Sequence, residues 1–334
     1  MAKRIAVDAM GGDDAPSVVV KGAIEATQAA GSDVQVLLFG PEARVHEELA
    51  QHASPRDLPI QVVDAPEVIA MGESPSSAVK GKPESSIHCG LGAHAQDQAD
   101  AFVSAGNTGA IMAASLFILG RVPGVERPTI VAYFPTTQGT CLVTDIGSNV
   151  DCKPQHLAQF ARMSTIFAEN IVGLENPRVG LLNVGEEPGK GNEQAKRAYE
   201  LLQATPGIHF AGNIEGGDIL RHGADIVICD GFVGNIVLKF GESLFSVIAP
   251  MVQREMARQE LSPSEQQVVG RVLSNVRKGF EAEEQGGASL LGVKGNVMIG
   301  HGRSSVREMK QLILSAAEIA AKDVLHPMID AFAE

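Results

Sequence analysis

Short apolar, β-branched runs alternate with stretches of helical period almost from the first residue. Arg4–Asp8 reads as a buried strand, followed by a helix over about Pro16–Ala30 with proline at its first turn. Val34–Gly40 is the next strand, then a helix opened by Pro41, then a strand at Ile60–Asp64. The polar, glycine- and proline-broken stretch Met71–Pro83 reads as a loop. A helix over Ser85–Gln98 leads into the strand Ala101–Ser104 and a helix over Thr108–Leu119. Ile130–Phe134 and Thr140–Thr144 flank the polar segment TTQG and predict a hairpin. The pattern continues with a helix at Pro154–Val172, a strand at Val179–Val184, a helix at Asn192–Gln203 and a strand at Asp225–Cys229.

Such alternation predicts a three-layer α/β/α fold, a mainly parallel sheet with helices on both faces. Residues 236–282 differ: they read as a long helical hairpin, with Ser262-Pro263-Ser264-Glu265 opening its second helix as a capping box. Val269, Val272, Val276 and Phe280 form an apolar stripe there, which suits core packing or a symmetry mate, and we expect a homodimer. No linker divides the chain, so 1–334 reads as a single α/β catalytic domain that contains the hairpin.

In parallel sheets, ligands bind beyond the carboxyl ends of strands. Five strand ends finish here in small, polar, glycine-rich turns, and we expect all five on the same edge. They are Asp8–Asp13, Ser104–Gly109, Asp145–Asn149, Asn183–Gly191 and Cys229–Asn235. Bare backbone N–H groups beside a helix N-terminus favour an anion. The candidate phosphate- and substrate-binding residues are Asp8, Gly11, Gly12, Ser104, Gly106, Asn107, Thr108, Gly109, Asn149 and Asn183. Any one such loop is equally explained as an ordinary turn.

Two nucleotide signatures fail. Gly185–Gly191 is one residue short of a P-loop and lacks the hydroxyl residue after lysine, and no G-x-G-x-x-G follows the first strand. We therefore expect no cofactor. Lys190, in a glycine-rich loop, can neutralise a phosphate or an oxyanion, or simply be solvated; Asn235 can donate an amide hydrogen bond or cap a helix. Asp8, Asp13, Asp145 and Asp230 sit at strand ends and N-caps, where aspartate is common, and no metal is expected.

Composition narrows the class. Glycine is enriched, 36 of 334 residues, without a period, which places it in loops. A net charge of −13 argues against a general nucleic-acid binder. Four dispersed cysteines (Cys89, Cys141, Cys152, Cys229) form neither a disulfide framework nor a zinc motif. No signal-peptide core opens the chain and no apolar run approaches the ~20 residues that span a bilayer, so a cytoplasmic protein is expected, able to sit peripherally at the inner membrane face.

The loops, in this order, resemble the PlsX family of phosphate acyltransferases. The matching segments are VDAMGGDDAP at the start, SAGNTGA at 104–110, TDIGSN at 144–149, LNVGEEPGKGNE at 182–193, GNIEG at 212–216, CDGFVGN at 229–235 and GVKGNVMIGHGRSS at 292–305. The resemblance spans nearly the whole chain. It implies transfer of an acyl group from acyl-acyl-carrier-protein to inorganic phosphate in phospholipid synthesis. It also implies a fold similar to the isopropylmalate-dehydrogenase and phosphotransacetylase group, a homodimer, and catalytic roles for Lys190 and Asn235. A membrane-bound glycerol-3-phosphate acyltransferase is a further implied partner. The hairpin tip, Arg258–Pro263, is mostly polar, which supports direct membrane insertion only weakly.

An acidic carrier protein would need a local basic patch on this acidic chain. Arg254 and Arg258, four apart on the first hairpin helix, and Arg271, with Arg277 and Lys278, on the second, are candidates, or else a solvated face balanced by neighbouring glutamates. Two other readings stay open at this stage: a phosphotransacetylase-like enzyme using acyl-coenzyme A, and a non-catalytic acyl-carrier sensor.

Overall fold

The computed structural model describes residues 2–52, 58–283 and 287–333. In chain order the elements are β1 (Lys3–Asp8), α1 (Ser17–Ala30), β2 (Val34–Gly40), α2 (Glu42–Ala50), β3 (Ile60–Asp64), α3 (Pro75–Gly81), α4 (Ser86–Ala95), β4 (Ala101–Ser104) and α5 (Thr108–Ile118). The hairpin β5 (Thr129–Thr136) and β6 (Gly139–Thr144) follows, then α6 (Pro154–Phe167), β7 (Arg178–Asn183), α7 (Glu193–Ala204), β8 (His209–Glu215), α8 (Gly216–Leu220) and β9 (Ile226–Ile228). The chain ends with α9 (Gly231–Arg258), α10 (Pro263–Glu283), β10 (Ala288–Leu291), β11 (Val297–Ile299), α11 (Val306–Ala321) and α12 (Leu325–Phe332).

All the strands join one sheet of order β3-β2-β1-β4-β11-β10-β5-β6-β9-β7-β8. Alternation along each strand sends its residues to two cores. Val7 and Val103 pack on one face with Val20 of α1 and Leu312 of α11, and the same core continues to Leu181, Phe160 of α6 and Leu202 of α7. On the other face Ala6 and Phe102 pack with Leu91 of α4 and Ile111 of α5. Val143 and Val227 meet Ile219 of α8 and Val237 of α9 on the second half of that face. This is the expected three-layer α/β/α arrangement.

The β5–β6 hairpin has a larger consequence than its size suggests. Its two-residue turn makes β6 antiparallel to β5, and β9, β7 and β8 then run parallel to β6. The block β3-β2-β1-β4-β11 runs the other way. The five glycine-rich loops therefore do not share one edge. Those after β1 and β4 leave one end of the sheet, and those after β6, β7 and β9 leave the opposite end. The separation along the strands is small: following the register through β5, β10 and β11 puts Thr144 in the row of Val103, one residue short of Ser104.

Three local expectations are revised. Residues within Met71–Pro83 include a helix, α3, begun by Pro75 at its first turn. The first hairpin helix starts at Gly231, directly on the β9 loop, and is 28 residues long. This helix, α9, is also long and apolar enough to cross a membrane, with a mean hydropathy of 1.5 over its best window, against the expectation that no run approaches that length. Its connections speak against crossing, because α9 leaves β9 and α10 leads back towards β10 in the same sheet. The capping box is present as expected: the Ser262 N–H and hydroxyl both donate to Glu265 Oε2, at 2.8 and 2.6 Å.

Phe102 is fully buried at the centre of the second core, against the bare backbone of Gly90. Phe102→Ala is expected to lower the unfolding free energy by about 3–5 kcal/mol in a urea titration, because α4 is tied to the sheet and the cavity cannot collapse.

Candidate active site

Two aspartates that have no cationic partner among the described residues organise the two ends. Asp8, at the end of β1, is 2 % exposed and accepts the Ser104 hydroxyl at 2.6 Å and the Met10 N–H at 3.0 Å. The same Ser104 oxygen accepts the Gly106 N–H at 3.0 Å, so the loops after β1 and β4 are stitched together. Gly11 lies in the seam, where a Cβ would sit 2.7 Å from Asp8 Oδ2 and 2.8 Å from the Gly106 nitrogen. Gly12 backs onto the Gly302 carbonyl, which also accepts the Asp13 N–H at 2.7 Å. Asn107 caps α5 through Ala110 and spends its amide on the carbonyls of Met71 and Glu73, at 3.0 and 2.9 Å. Gly109 lies under Pro75. Of these candidates only Thr108, at the N-terminus of α5, is exposed. Asp8, Ser104 and Asn107 are thus scaffold, with their polar atoms turned to protein groups.

Asp145, at the end of β6, is fully buried. Its Oδ1 accepts the Ser148 hydroxyl at 2.6 Å and the backbone N–H groups of Gly147 and Ser148 at 3.2 and 3.0 Å. Its Oδ2 accepts the N–H and side-chain amide of Asn149 at 2.7 and 2.8 Å. The Asn149 amide also reaches the Pro128 carbonyl at 2.8 Å. Asn149 is therefore another scaffold residue. Its backbone carbonyl receives the Gly231 N–H, which docks the start of α9. One turn on, Gly234 lies so close to the Asp145 carbonyl that any side chain there would collide.

This docking places the exposed Asn235 side chain over Gly147, whose Cβ position lies 3.6 Å from Asn235 Cγ. The loop after β7 completes this end. Asn183 donates to the Lys190 carbonyl at 3.2 Å, and Asn213 of β8 donates to the Glu187 carbonyl at 2.8 Å. Lys190 itself is about half exposed, and its ammonium has only a loose contact, 3.8 Å, with Glu187. Gln194 of α7 then ties this loop to the Cys152 carbonyl at 2.6 Å. The loops that carry Lys190 and Asn235 are thus tied by protein hydrogen bonds to the segment that follows Asp145, and both side chains are exposed.

The two ends are joined by α9. Four residues beyond Asn235, the Lys239 ammonium lies 2.9 Å from Nε2 of His301, in the loop after β11 that packs on Gly12 and Asp13. Four helical residues rise only ~6 Å, so one short stretch of helix touches both clusters. Lys239, His301 and Asn213 are participants that the sequence left unmarked: GNIEG and GHGRSS stood out as segments, but nothing in them assigned a contact, and Lys239 lies in an apolar helix.

The thiols are poorly suited to carrying an acyl group. Burial pushes Cys141 up to about 12. Burial, with Asp145 nearby, does the same for Cys152, also to about 12, and raises Cys229 well above its ordinary value. Among the described residues no group of three or more His, Cys, Asp or Glu side chains converges as metal ligands would. Asp8 and Asp145 instead serve separate loop clusters.

Residues 3–326 match the family described as fatty acid synthesis protein. The chain belongs to that family. Its relatives include proteins named phosphate acyltransferase from Salinibacter ruber, 59 % identical with 99 % of this chain and 98 % of the relative covered, and from Chlorobaculum parvum, 48 % identical with 96 % of each covered. The fold of this fatty acid synthesis family member is shared with a phosphotransacetylase from Streptococcus pyogenes (TM-score 0.62, 16 % identity, 96 % of this chain and 94 % of that one). It is likewise shared with the EutD phosphotransacetylase from Staphylococcus aureus (TM-score 0.59, 16 % identity, the same coverage).

Burial holds the Asp8 carboxyl above its ordinary range, against the pull of its hydrogen bonds. A carboxyl raised in the folded state contributes stability that is complete below its unfolded value, near 3.8, and is lost as pH rises through the folded value. The stability of the wild type relative to Asp8→Asn should therefore fall as pH is raised from about 4 towards about 7, measured by urea unfolding at each pH.

Proposed function

We propose that the protein is a phosphate acyltransferase that moves an acyl group from the thioester of an acyl carrier protein to inorganic phosphate. A phosphate oxygen attacks the thioester carbonyl, the carbon–sulfur bond breaks, and the products are an acyl phosphate and the carrier thiol. Phosphate is the nucleophile, so no covalent serine or cysteine is required. The protein has to hold an anion beside the carbonyl and stabilise the oxyanion as attack proceeds.

What supports this reading is an exposed cation and an exposed amide on loops tied to the one that Asp145 organises: Lys190, whose ammonium has only a 3.8 Å contact with Glu187, and Asn235, which lies over Gly147. In this reading they take the developing negative charge. The N-terminal turn of α5, with the exposed Thr108, receives phosphate, and Lys239 spans the gap between them. The names of the relatives and the shared phosphotransacetylase fold support the same chemistry.

We also read the protein as a homodimer. Phe232, Ile236, Phe240, Val247 and Met251 leave an exposed apolar stripe along α9, and Val268, Val272 and Val276 another on α10, a combination that suits burial against a second copy. The domain is peripheral where a membrane-bound glycerol-3-phosphate acyltransferase would consume its acyl phosphate. Arg254, Arg258 and Arg271 are exposed on the hairpin as a candidate carrier surface, whereas the side chains of Arg277 and Lys278, and of Phe280 in the apolar stripe, fall outside the described residues.

Lys190→Ala should fold as the wild type does but lose roughly 10²–10³-fold in kcat/KM for phosphate-dependent thioester consumption, the usual scale for one oxyanion donor. A variant within a few-fold of wild type would remove Lys190 from the mechanism.

A further inference from the structure

Beside the Asp145 loop lies a cavity of about 560 Å³ lined by Leu116, Arg121, Glu126, Arg127, Pro128, Lys153 and His156. It opens where α5 ends, β5 begins and α6 starts. On a chain of net charge −13, its lining brings together three cations, Arg121, Arg127 and Lys153, and one carboxylate, Glu126.

That carboxylate is already engaged. His156 is buried, and its Nδ1 accepts the Lys153 N–H at 3.1 Å, so Nε2 carries the proton and donates it to Glu126 at 3.0 Å. Arg121 is turned to the Glu126 backbone carbonyl, at 2.6 Å. Arg127 and Lys153 have no carboxylate within ion-pair distance among the described residues. Lys153 also precedes the first turn of α6, whose N-terminal dipole adds positive potential. The result is a concave basic site with an apolar wall of Leu116 and Pro128.

Its position gives it a purpose. The Pro128 carbonyl is held by Asn149, and Cys152, next to Lys153, is held by Gln194 beside the Lys190 loop. The cavity and the candidate active site therefore share a wall. The arginines on α9 are much further away: Arg254 stands nineteen residues beyond Asn235, ~28 Å of helix rise.

We propose that this pocket binds the phosphodiester that joins a carrier protein to its pantetheine arm, which fixes the depth to which the arm enters. The inference rests on the acyl-carrier reading above. Arg127 and Lys153 pair with the phosphodiester oxygens, and Leu116 and Pro128 pack against the dimethyl-bearing start of the arm. The shared chemistry is a phosphate group, and inorganic phosphate is the other source to separate.

Calorimetric titration of the full-length protein with 4′-phosphopantetheine and with pantetheine tests this without any turnover. The wild type should bind the phosphorylated compound roughly tenfold or more tightly, as expected for charge-assisted hydrogen bonds. Arg127→Gln and Lys153→Gln should each reduce that preference and leave inorganic phosphate binding unchanged. Equal affinity of the wild type for the two compounds would overturn the proposal even if both variants failed to fold. Loss of inorganic phosphate binding in the variants, with the preference intact, would overturn it in favour of a phosphate subsite. If the wild type shows the preference but consumes no thioester, the pocket stands and the acyltransfer reading falls.

Discussion

A buried carboxylate with no cation beside it would be costly, and Asp145 avoids that cost only by collecting hydrogen bonds from the loop that follows it. Those bonds dictate the shape of residues 146–149. Through Asn149 they reach β5 and the start of α9, and the Asp145 carbonyl sets how closely α9 approaches at Gly234. The placement of Asn235 in the first turns of α9 follows from this one residue and its loop. Asp8 plays a parallel part at the other end, where Ser104 and Gly106 close on it.

The division of labour that results is between polar residues turned inward and a few left outward. Asp8, Ser104, Asn107, Asn149 and Asn183 hold loops in place. Lys190, Asn235 and Thr108 are held there by them. In the proposed reaction such an arrangement would be preorganised, with donors that need no rearrangement as charge develops on a reacting oxygen, the main electrostatic advantage over water. Asn213 belongs to the supporting set, since its amide fixes the Glu187 carbonyl and thereby the turn that presents Lys190.

Much of the fold was legible because its signals were local. Strands β1, β2, β3 and β4, the hairpin β5–β6 and the capping box that opens α10 follow from hydrophobic period and turn chemistry within a few residues. What escaped was non-local. The hairpin was visible, but its effect on the direction of every later parallel strand was not, so five loops expected on one edge fall on two. The short strands β10 and β11 are three or four residues each and take their place only from β4 and β5 on either side. The polar loop residues were recognisable as a set, yet sequence could not sort those facing protein from those facing solvent. Lys239 had no local mark at all, because its meaning comes from His301, distant in the chain.

The account makes phosphate itself the nucleophile, and the thiols nearest the site, Cys152 and Cys229, are held protonated by burial. The most direct test is intact-mass spectrometry of the protein incubated with acyl-acyl-carrier-protein, first without phosphate and then with it. The account predicts an unmodified protein and an intact thioester in the first sample, then acyl phosphate and free carrier once phosphate is added. An enzyme that gains the mass of the acyl group before phosphate arrives would contradict it.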